Sequence, residues 1–399
     1  MKKKLSALLI ALALAVQATP AFAAGPVQRY ADVPVGSEYY EAIEYMSDRG
    51  IVSGTGDGNF SPDAPLTIEQ LSIILMRLFH STDFPLSATA TASEYVSTAS
   101  FIGIYDEAEA KEMKTNGLTR MDMWDMLADE TALEPYPAWA YTGEEPSVDF
   151  ERDLEYAVYA AGLYDEKVDA DAVPTRGEAM DITYRLITGD YKALEMPAMW
   201  QDVNVIMESP SCWKERNRSM YEWTLIPDKF IQKFKDEDWT LRFIEEMKTY
   251  YPQHPTSIGM TEYEDRVITI ATAFNRNAID VLTHEFGHFV MYQAKIPMTG
   301  GYLYQAEKDK LAELTGSQYC KTDRYEYFAE AFRYILVNRD DPDEYAKMKA
   351  SIPITLNFIE NGFLDCEEFV DYDAFVIKGD NTTLPNIPTI PSFQFESLF

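Results

Sequence analysis

Two of the four histidines in the chain stand four residues apart in the segment HEFGH, at His284 and His288. On a helix this spacing places both imidazoles on one face, one turn from each other. A zinc ion takes imidazole nitrogens at ~2.0–2.1 Å and, where it is catalytic, keeps one position open for water. Glu285 follows the first histidine and can accept a proton from that water. The segment therefore predicts a zinc site that hydrolyses peptide bonds.

The third ligand is predicted to be a carboxylate, because no further histidine is well placed. His80 lies in the first half of the chain, and His254 lies in the proline-containing loop YPQHPTS. The long three-histidine motif of the metzincin peptidases requires Gly and His at the positions of Met291 and Ala294. That class is excluded. The alternative for HEFGH as a whole is an ordinary helix with two partly exposed histidines and an ion-paired glutamate.

Two glutamates in the segment DRYEYFAEAFRYILVNRD, Glu326 and Glu330, are four residues apart and share one helix face. One can bind zinc, and the other can accept the free N–H of a ligand histidine and so fix its tautomer. The alternative is a helix with two solvated acids. Apolar residues that would face a core lie on roughly the opposite side: Phe328, Phe332, Ile335 and Leu336.

Two elements must position these residues. The histidines require a helix, and apolar residues at helical spacing support one: Ala278, Val281, Leu282, Phe289 and Val290. The segment DRVITIATAF, Asp265 to Phe274, alternates as a strand does. We expect this strand either to be a sheet edge that pairs with an extended peptide substrate or to be an ordinary core strand.

Composition limits the class of protein. The chain has 399 residues, of which 46% are hydrophobic, enough for two or three domains with buried cores. Its net charge of −32 argues against nucleic acid as a partner, because an acidic chain repels phosphates. The same charge disfavours non-specific adsorption to an anionic membrane.

The N-terminus predicts export. Residues 1–23 combine three lysines, an apolar run from Leu5 to Val16 and the small-residue cleavage site AFA, which together indicate a signal peptide. The apolar run is shorter than the ~20 residues that span a bilayer, so no membrane span is expected. The cysteines, an odd number, allow at most one disulfide of undetermined pairing, and free thiols are the alternative: Cys212, Cys320 and Cys366.

The first half contains a weak repeat in three units, at about 30–80, 90–135 and 148–190. Each unit reads as a helix, a glycine stop, a loop and a second amphipathic helix. The second helix opens on a threonine with an acidic residue near the first turn, an N-cap signal. These threonines, 52 and 56 residues apart, are Thr67, Thr119 and Thr175.

The first unit, YADVPVGSEYYEAIEYMSDRGIVSGTGDGNFSPDAPLTIEQ, resembles an S-layer homology repeat, except that Ile68 replaces an arginine. The third unit is less similar and the second least. The resemblance implies an all-α module over 28–190 that binds pyruvylated secondary cell-wall polysaccharide. It makes Arg120 and Arg176 the expected contacts to the anionic sugar, for which the planar guanidinium is suited. A solvated surface charge is the alternative for each arginine.

The second half resembles the zinc peptidase domain of anthrax lethal factor and the secreted Pro-Pro endopeptidases. The resemblance rests on HEFGH followed by YCKTDRYEYFAEAF, and on SIPITLNFIENGF as a closing helix. It implies an α+β zincin-type fold, a small mixed sheet with a metal-binding helix. It also makes Glu326 the third zinc ligand, Glu330 an outer partner and Tyr319 the donor to the oxyanion.

The sequence thus predicts a multidomain, secreted, wall-anchored zinc endopeptidase. The expected organisation is a signal peptide, the repeats, a linker at 191–220, the peptidase domain at 221–372 and a proline-containing tail at 373–399. Surface or secreted proteins, including proline-containing sites, are the expected substrates. Two alternatives stay open: an S-layer protein or adhesin with a structural or vestigial zinc site, and a hydrolase of wall peptides.

Overall fold

The computed structural model describes residues 28–272, 280–294 and 297–365, with the backbone alone at 297–301. The predicted signal peptide, the tail at 373–399 and Cys366 lie outside these residues. No helix among the described residues is both long and apolar enough to cross a membrane. The other two cysteines, Cys212 and Cys320, are buried and free.

The first half is helical, as predicted. Its second helix in each predicted unit is amphipathic and packs its apolar side into one shared core. The helices are α1 (Tyr40–Asp48), α2 (Ile68–Phe79), α3 (Ala92–Ile102), α4 (Glu107–Asn116), α5 (Arg120–Glu130), α6 (Trp139–Thr142), α7 (Phe150–Ala160) and α8 (Arg176–Thr188).

The three predicted N-cap threonines begin α2, α5 and α8, and each forms a capping box. In each box the threonine side chain accepts a hydrogen bond from the backbone three residues later, and that residue's side chain accepts one in return. Such a cap is worth about 1 kcal/mol. The reciprocating residues are Gln70, Asp122 and Glu178.

The starts of α5 and α8 also join one unit to another. The first N–H groups of a helix have no partner inside it. At α8 the Arg176 N–H donates to the carbonyl of Ala64 in the first unit, at 2.9 Å. At α5 the Arg120 N–H donates to the carbonyl of Ala172 in the third unit, at 3.0 Å. These helix N-termini therefore link the third unit to the first and the second unit to the third.

The second half surrounds one small mixed sheet with helices. Within the described residues four strands pair in the order β1-β2-β4-β3; β1, β2 and β4 are parallel, and β3 is antiparallel to β4. The elements are β1 (Asn204–Met207), α9 (Trp213–Leu225), α10 (Asp228–Asp236), β2 (Thr240–Ile244), α11 (Met247–Tyr250), β3 (Gly259–Glu262), β4 (Val267–Ala271), α12 (Val281–Gln293), α13 (Pro297–Thr315), α14 (Arg324–Asn338), α15 (Pro342–Ser351) and α16 (Pro353–Ile359).

Two expectations about this half differ from the structure. The strand predicted at 265–274 forms as β4, but it lies between β2 and β3, so the edge reading is wrong and β3 forms the edge. Residues 191–220, expected to be a linker, contain β1 and the start of α9. The sheet therefore begins before residue 221.

Helix α9 begins in the core of the first half. Trp213 is buried among the apolar side chains of the repeats, and its indole N–H donates to Asp129 Oδ1 at 2.8 Å. The next residue, Lys214, pairs through Nζ with Asp125 Oδ2 at 2.6 Å. Since α9 then continues into the second half, it holds the two halves together directly.

The reverse contact comes from the loop between the second and third repeats. Tyr136 and Trp139 are buried in the core of the second half. Arg216 and Asn217 of α9 both donate to the carbonyl of Pro135. The Arg216 guanidinium also lies over the Tyr136 ring, 3.9 Å from its centroid. Each half thus contributes aromatic residues to the core of the other.

Candidate metal centre

Helix α12 carries the predicted histidines and is buried along almost its whole length. Its N-terminus is held by Glu222 of α9, whose Oε2 accepts the Thr283 N–H at 2.8 Å. A carboxylate is stabilising at this end of a helix because the N–H groups and the helix dipole are positive there. Complete burial nevertheless raises the pKa of Glu222 to about 8. Thr283, the residue before His284, is therefore held in place by a residue of α9.

A close crossing of α12 and α14 brings the histidines to the glutamates. At the crossing Gly287, inside HEFGH, faces Ala329 of α14. A Cβ at Gly287 would lie 2.7 Å from Ala329 Cα and 3.0 Å from its carbonyl oxygen. Real Cβ atoms do not approach backbone so closely, so only glycine allows this separation of the helices.

The predicted ligand atoms come together at this crossing. His284 Nε2 lies 3.2 Å from Glu326 Oε2, and His288 Nε2 lies 3.4 Å from the same oxygen. One ligand atom from each of the three residues lies within 4.8 Å of the others. Tetrahedral bonds of ~2.0–2.1 Å place ligand atoms about 3.3 Å apart. The donor set and its spacing therefore fit zinc.

Glu330, the predicted outer partner, lies beside the first histidine. His284 Nδ1 lies 3.2 Å from Glu330 Oε2, so the ring can donate to Glu330 while Nε2 faces the metal position. Arg333 donates to both Glu330 oxygens, at 3.1 and 2.7 Å, and its Nη1 donates to Asp280 Oδ2 at 2.8 Å. Asp280 precedes α12 and has a left-handed φ of 72°. The ion pair with Arg333 helps to hold that conformation, which costs of order 1–3 kcal/mol.

The contacts within the site shift the pKa values of its groups toward their charged forms. Burial lowers the pKa of the His284 imidazole, but hydrogen bonds to Glu326 and Glu330 outweigh it and raise the pKa to about 9. Burial raises the pKa of Glu330, but His284 and Arg333 outweigh it and lower the pKa to about 2. The pKa of Glu326 falls below its usual range because its bonds to both histidines outweigh its burial. Both carboxylates are thus ionised.

Glu285 is buried beside the ligands and turns toward β3. Its Oε2 accepts the Thr261 hydroxyl at 2.7 Å, and its backbone carbonyl lies 3.1 Å from the same hydroxyl. Among the described residues, this threonine gives the carboxylate its closest hydrogen bond. The expected general base is therefore held by the edge strand of the sheet.

Tyr319 lies over the first histidine, in a short 3-10 helix before α14. Its ring centroid is 5.7 Å from that of His284, and the two rings are tilted by 44° to each other. Partial burial, then the charges of Glu326 and Glu285, raise the pKa of the phenol, which keeps its proton for donation. The thiol of the neighbouring Cys320 is directed at the Ser317 carbonyl, 3.5 Å away.

Arg120, predicted to contact an anionic sugar, is occupied inside the module. Its Nε and Nη2 bond to the two carboxylate oxygens of Glu178 at 2.6 and 2.9 Å, and its Nη1 donates to the Asp169 carbonyl. These contacts join the second unit to the third. The structure therefore gives Arg120 a packing role, and sugar binding there would have to displace a bidentate ion pair.

Arg176 is better placed for a ligand. It lines a cavity of about 260 Å³ between the first and third units, with Arg77 and Gln70 also on its wall. Its guanidinium lies 4.5 Å from the centroid of the Phe60 ring and donates to the Phe60 carbonyl. The two arginines make this cavity cationic, in contrast to the acidic chain around it.

The structure adds residues that sequence reasoning did not single out. Gly287 could have been noticed, because a glycine inside a buried helix usually marks a close approach. Arg333 lies three residues after Glu330 on α14, and this i,i+3 spacing could have indicated their ion pair. Thr261 and Glu222 contact α12 from 24 and 61 residues away in the chain, and no local pattern indicates them.

Comparison with known proteins supports the anchor half. An S-layer homology domain model matches residues 29–70, the first of the predicted units. A search of curated proteins finds none that matches the chain. S-layer homology domains bind cell-wall polysaccharide. The chain therefore carries an S-layer homology domain at residues 29–70, which indicates a protein anchored at the cell surface.

Proposed function

We propose that this protein is a zinc-dependent endopeptidase held at the cell wall by its first half. The observation that carries the proposal is the approach of His284 Nε2 and His288 Nε2 to Glu326 Oε2, at 3.2 and 3.4 Å, with Glu285 next to His284 in the chain. If the glutamates of α14 were only solvated acids, there would be no reason for Glu326 to contact both His284 and His288 of the buried helix α12.

The residues have separate roles in this proposal. His284, His288 and Glu326 hold the zinc, which when bound polarises a carbonyl group and makes water more acidic. Glu285 takes a proton from the attacking water and delivers it to the leaving nitrogen. Tyr319 keeps its phenolic proton and donates a hydrogen bond to the oxygen that becomes negative.

The anchor proposal centres on Arg176 rather than on both predicted arginines. Its cavity offers two guanidinium groups and an aromatic ring, which suit a sugar that carries a carboxylate. Arg176→Gln should weaken binding of purified wall polysaccharide about tenfold. Arg152→Gln, a surface arginine paired with Glu144, is the matched control and should bind as wild type. Equal binding by wild type and Arg176→Gln would refute this assignment.

The substrate is proposed to be a surface or secreted protein reached from the wall. With 66 acidic and 34 basic residues, the chain attracts basic segments through long-range steering, an effect that salt weakens. Proline-containing segments belong in the first panel of peptides, as the resemblance to the Pro-Pro endopeptidases suggests.

A combinatorial peptide library tests the function. The proposal predicts cleavage of a defined set of peptides by the zinc-loaded protein. An adhesin with a structural zinc site would cut none of them. A hydrolase of wall peptides would leave the library intact and release fragments from purified peptidoglycan, which should be assayed in parallel.

A further inference from the structure

The edge strand β3 contacts Glu285 of helix α12 through two residues on the same face of the strand. Gly259 and Thr261 are two positions apart on the strand, so they share one face. That face lies against Glu285. The residue between them, Met260, points to the opposite side and packs against a separate small cluster of apolar residues.

Thr261 binds one oxygen of the carboxylate. The hydroxyl lies 2.7 Å from Glu285 Oε2, a short distance for a bond to a charged acceptor. Its distance to the backbone carbonyl of the same residue is 3.1 Å. The single hydroxyl proton therefore fixes Oε2 and orients the whole carboxylate.

Gly259 leaves room for the other oxygen. A Cβ at this position would lie 2.2 Å from Glu285 Oε1 and 2.8 Å from its Cδ. Its φ lies outside the left-handed region, so backbone conformation does not require glycine here. The side chain of Glu285 is what requires it.

We propose that Gly259 and Thr261 are positioning residues for Glu285, an inference that rests on the proposed peptidase function. Thr261 holds Oε2, and the space at Gly259 receives Oε1, so the carboxylate is held in one defined orientation. A general base must be oriented as well as present, since misplacement by about 1 Å can cost up to ~100-fold. Neither residue binds the metal.

Three substitutions separate positioning from simple packing. Thr261→Val keeps the shape and removes the hydroxyl, and should lower kcat about tenfold with KM and zinc content unchanged. Thr261→Ser restores the hydroxyl and should recover most of kcat. Gly259→Ala should displace the carboxylate and lower kcat about 100-fold. Met260→Leu, on the other face of the strand, is the control and should act as wild type.

If Thr261 only packs β3 against α12, one of two results is expected. Either Thr261→Val retains the wild-type kcat, or Thr261→Val and Thr261→Ser both lose kcat and zinc. Either result overturns the inference. Crystal structures of zinc-loaded Thr261→Val and Gly259→Ala give a readout that needs no activity: the Glu285 carboxylate should turn away from its wild-type position. An unmoved carboxylate refutes positioning. A wild type that cuts nothing refutes the proposed function instead, and the structures still decide the placement.

Discussion

Replacing Glu330 by glutamine should weaken zinc binding without removing any zinc ligand. Glu330 is buried, and its Oε2 lies 3.2 Å from Nδ1 of the ligand His284. The ionised carboxylate makes that imidazole more basic and fixes which nitrogen faces the metal. Glutamine is nearly the same size but neutral, so it keeps the packing and loses the charge.

The expected size of the effect follows from the contacts. One charge-assisted hydrogen bond to a buried group is worth about 1.5–3 kcal/mol. Outer partners of metal-bound histidines typically contribute 10- to 100-fold in affinity, or about 1.4–2.8 kcal/mol. The two ranges agree. Arg333 would also lose a bidentate partner, at 2.7 and 3.1 Å, which places the change at the upper end.

Zinc affinity can be measured by competition with a chelator of known affinity at fixed pH. Glu330→Gln should show a dissociation constant about 30- to 100-fold above wild type. Glu313→Gln, on the exposed side of α13, is the matched control and should not differ from wild type. A dissociation constant for Glu330→Gln within twofold of wild type would refute the reasoning that Glu330 supports the metal.

Three further predictions follow from the same geometry. Since the pKa of His284 is about 9, zinc must displace a proton below that pH, so chelator competition should show affinity rising roughly tenfold per pH unit from 6 to 8; a flat profile would contradict this. Gly287→Ala should force α12 away from Ala329, lowering zinc affinity at least tenfold and the free energy of unfolding by about 1–3 kcal/mol; wild-type values would exclude the close crossing. The pKa of Glu222 is raised to about 8, so the folded protein keeps a proton that the unfolded chain releases near 4.5. The contribution of this proton to the free energy of unfolding is therefore lost as pH rises to 8. Urea unfolding at pH 5 and pH 8 should show a smaller drop in the free energy of unfolding for Glu222→Gln than for wild type.

Much of the site could be predicted because its signals are local. The four-residue spacing of His284 and His288, and of Glu326 and Glu330, fixes which side chains share a helix face whatever surrounds the helix. The structure brings all four together. The capping threonines of the repeats are local signals of the same kind, and each begins a helix.

The rest depends on contacts between distant segments. Strand β4 has the stronger strand pattern, yet it is internal, while the edge β3 has the sequence GMTE with little β-propensity. Its pairing with β4, not its own composition, makes it a strand. Arg120 shows the same limit: its motif predicted a sugar contact, but Glu178, 58 residues later, occupies its guanidinium.

The separation of the halves was also beyond the sequence. The sequence predicted a linker at 191–220, and a sequence pattern does not reveal which core a tryptophan joins. Trp213 enters the core of the repeats, whereas Tyr136 enters the core of the second half. Such exchanges are set by tertiary packing, which overrides local pattern.

The most direct test of the central claim compares the mature protein with Glu285→Gln in zinc content and peptide cleavage. Wild type should bind about one zinc ion per chain and cut peptides. Glu285→Gln should hold the same zinc and lose cleavage by ~100- to 10,000-fold, the usual contribution of a general base. A fully active Glu285→Gln variant, or a wild type that binds no zinc, would contradict the account.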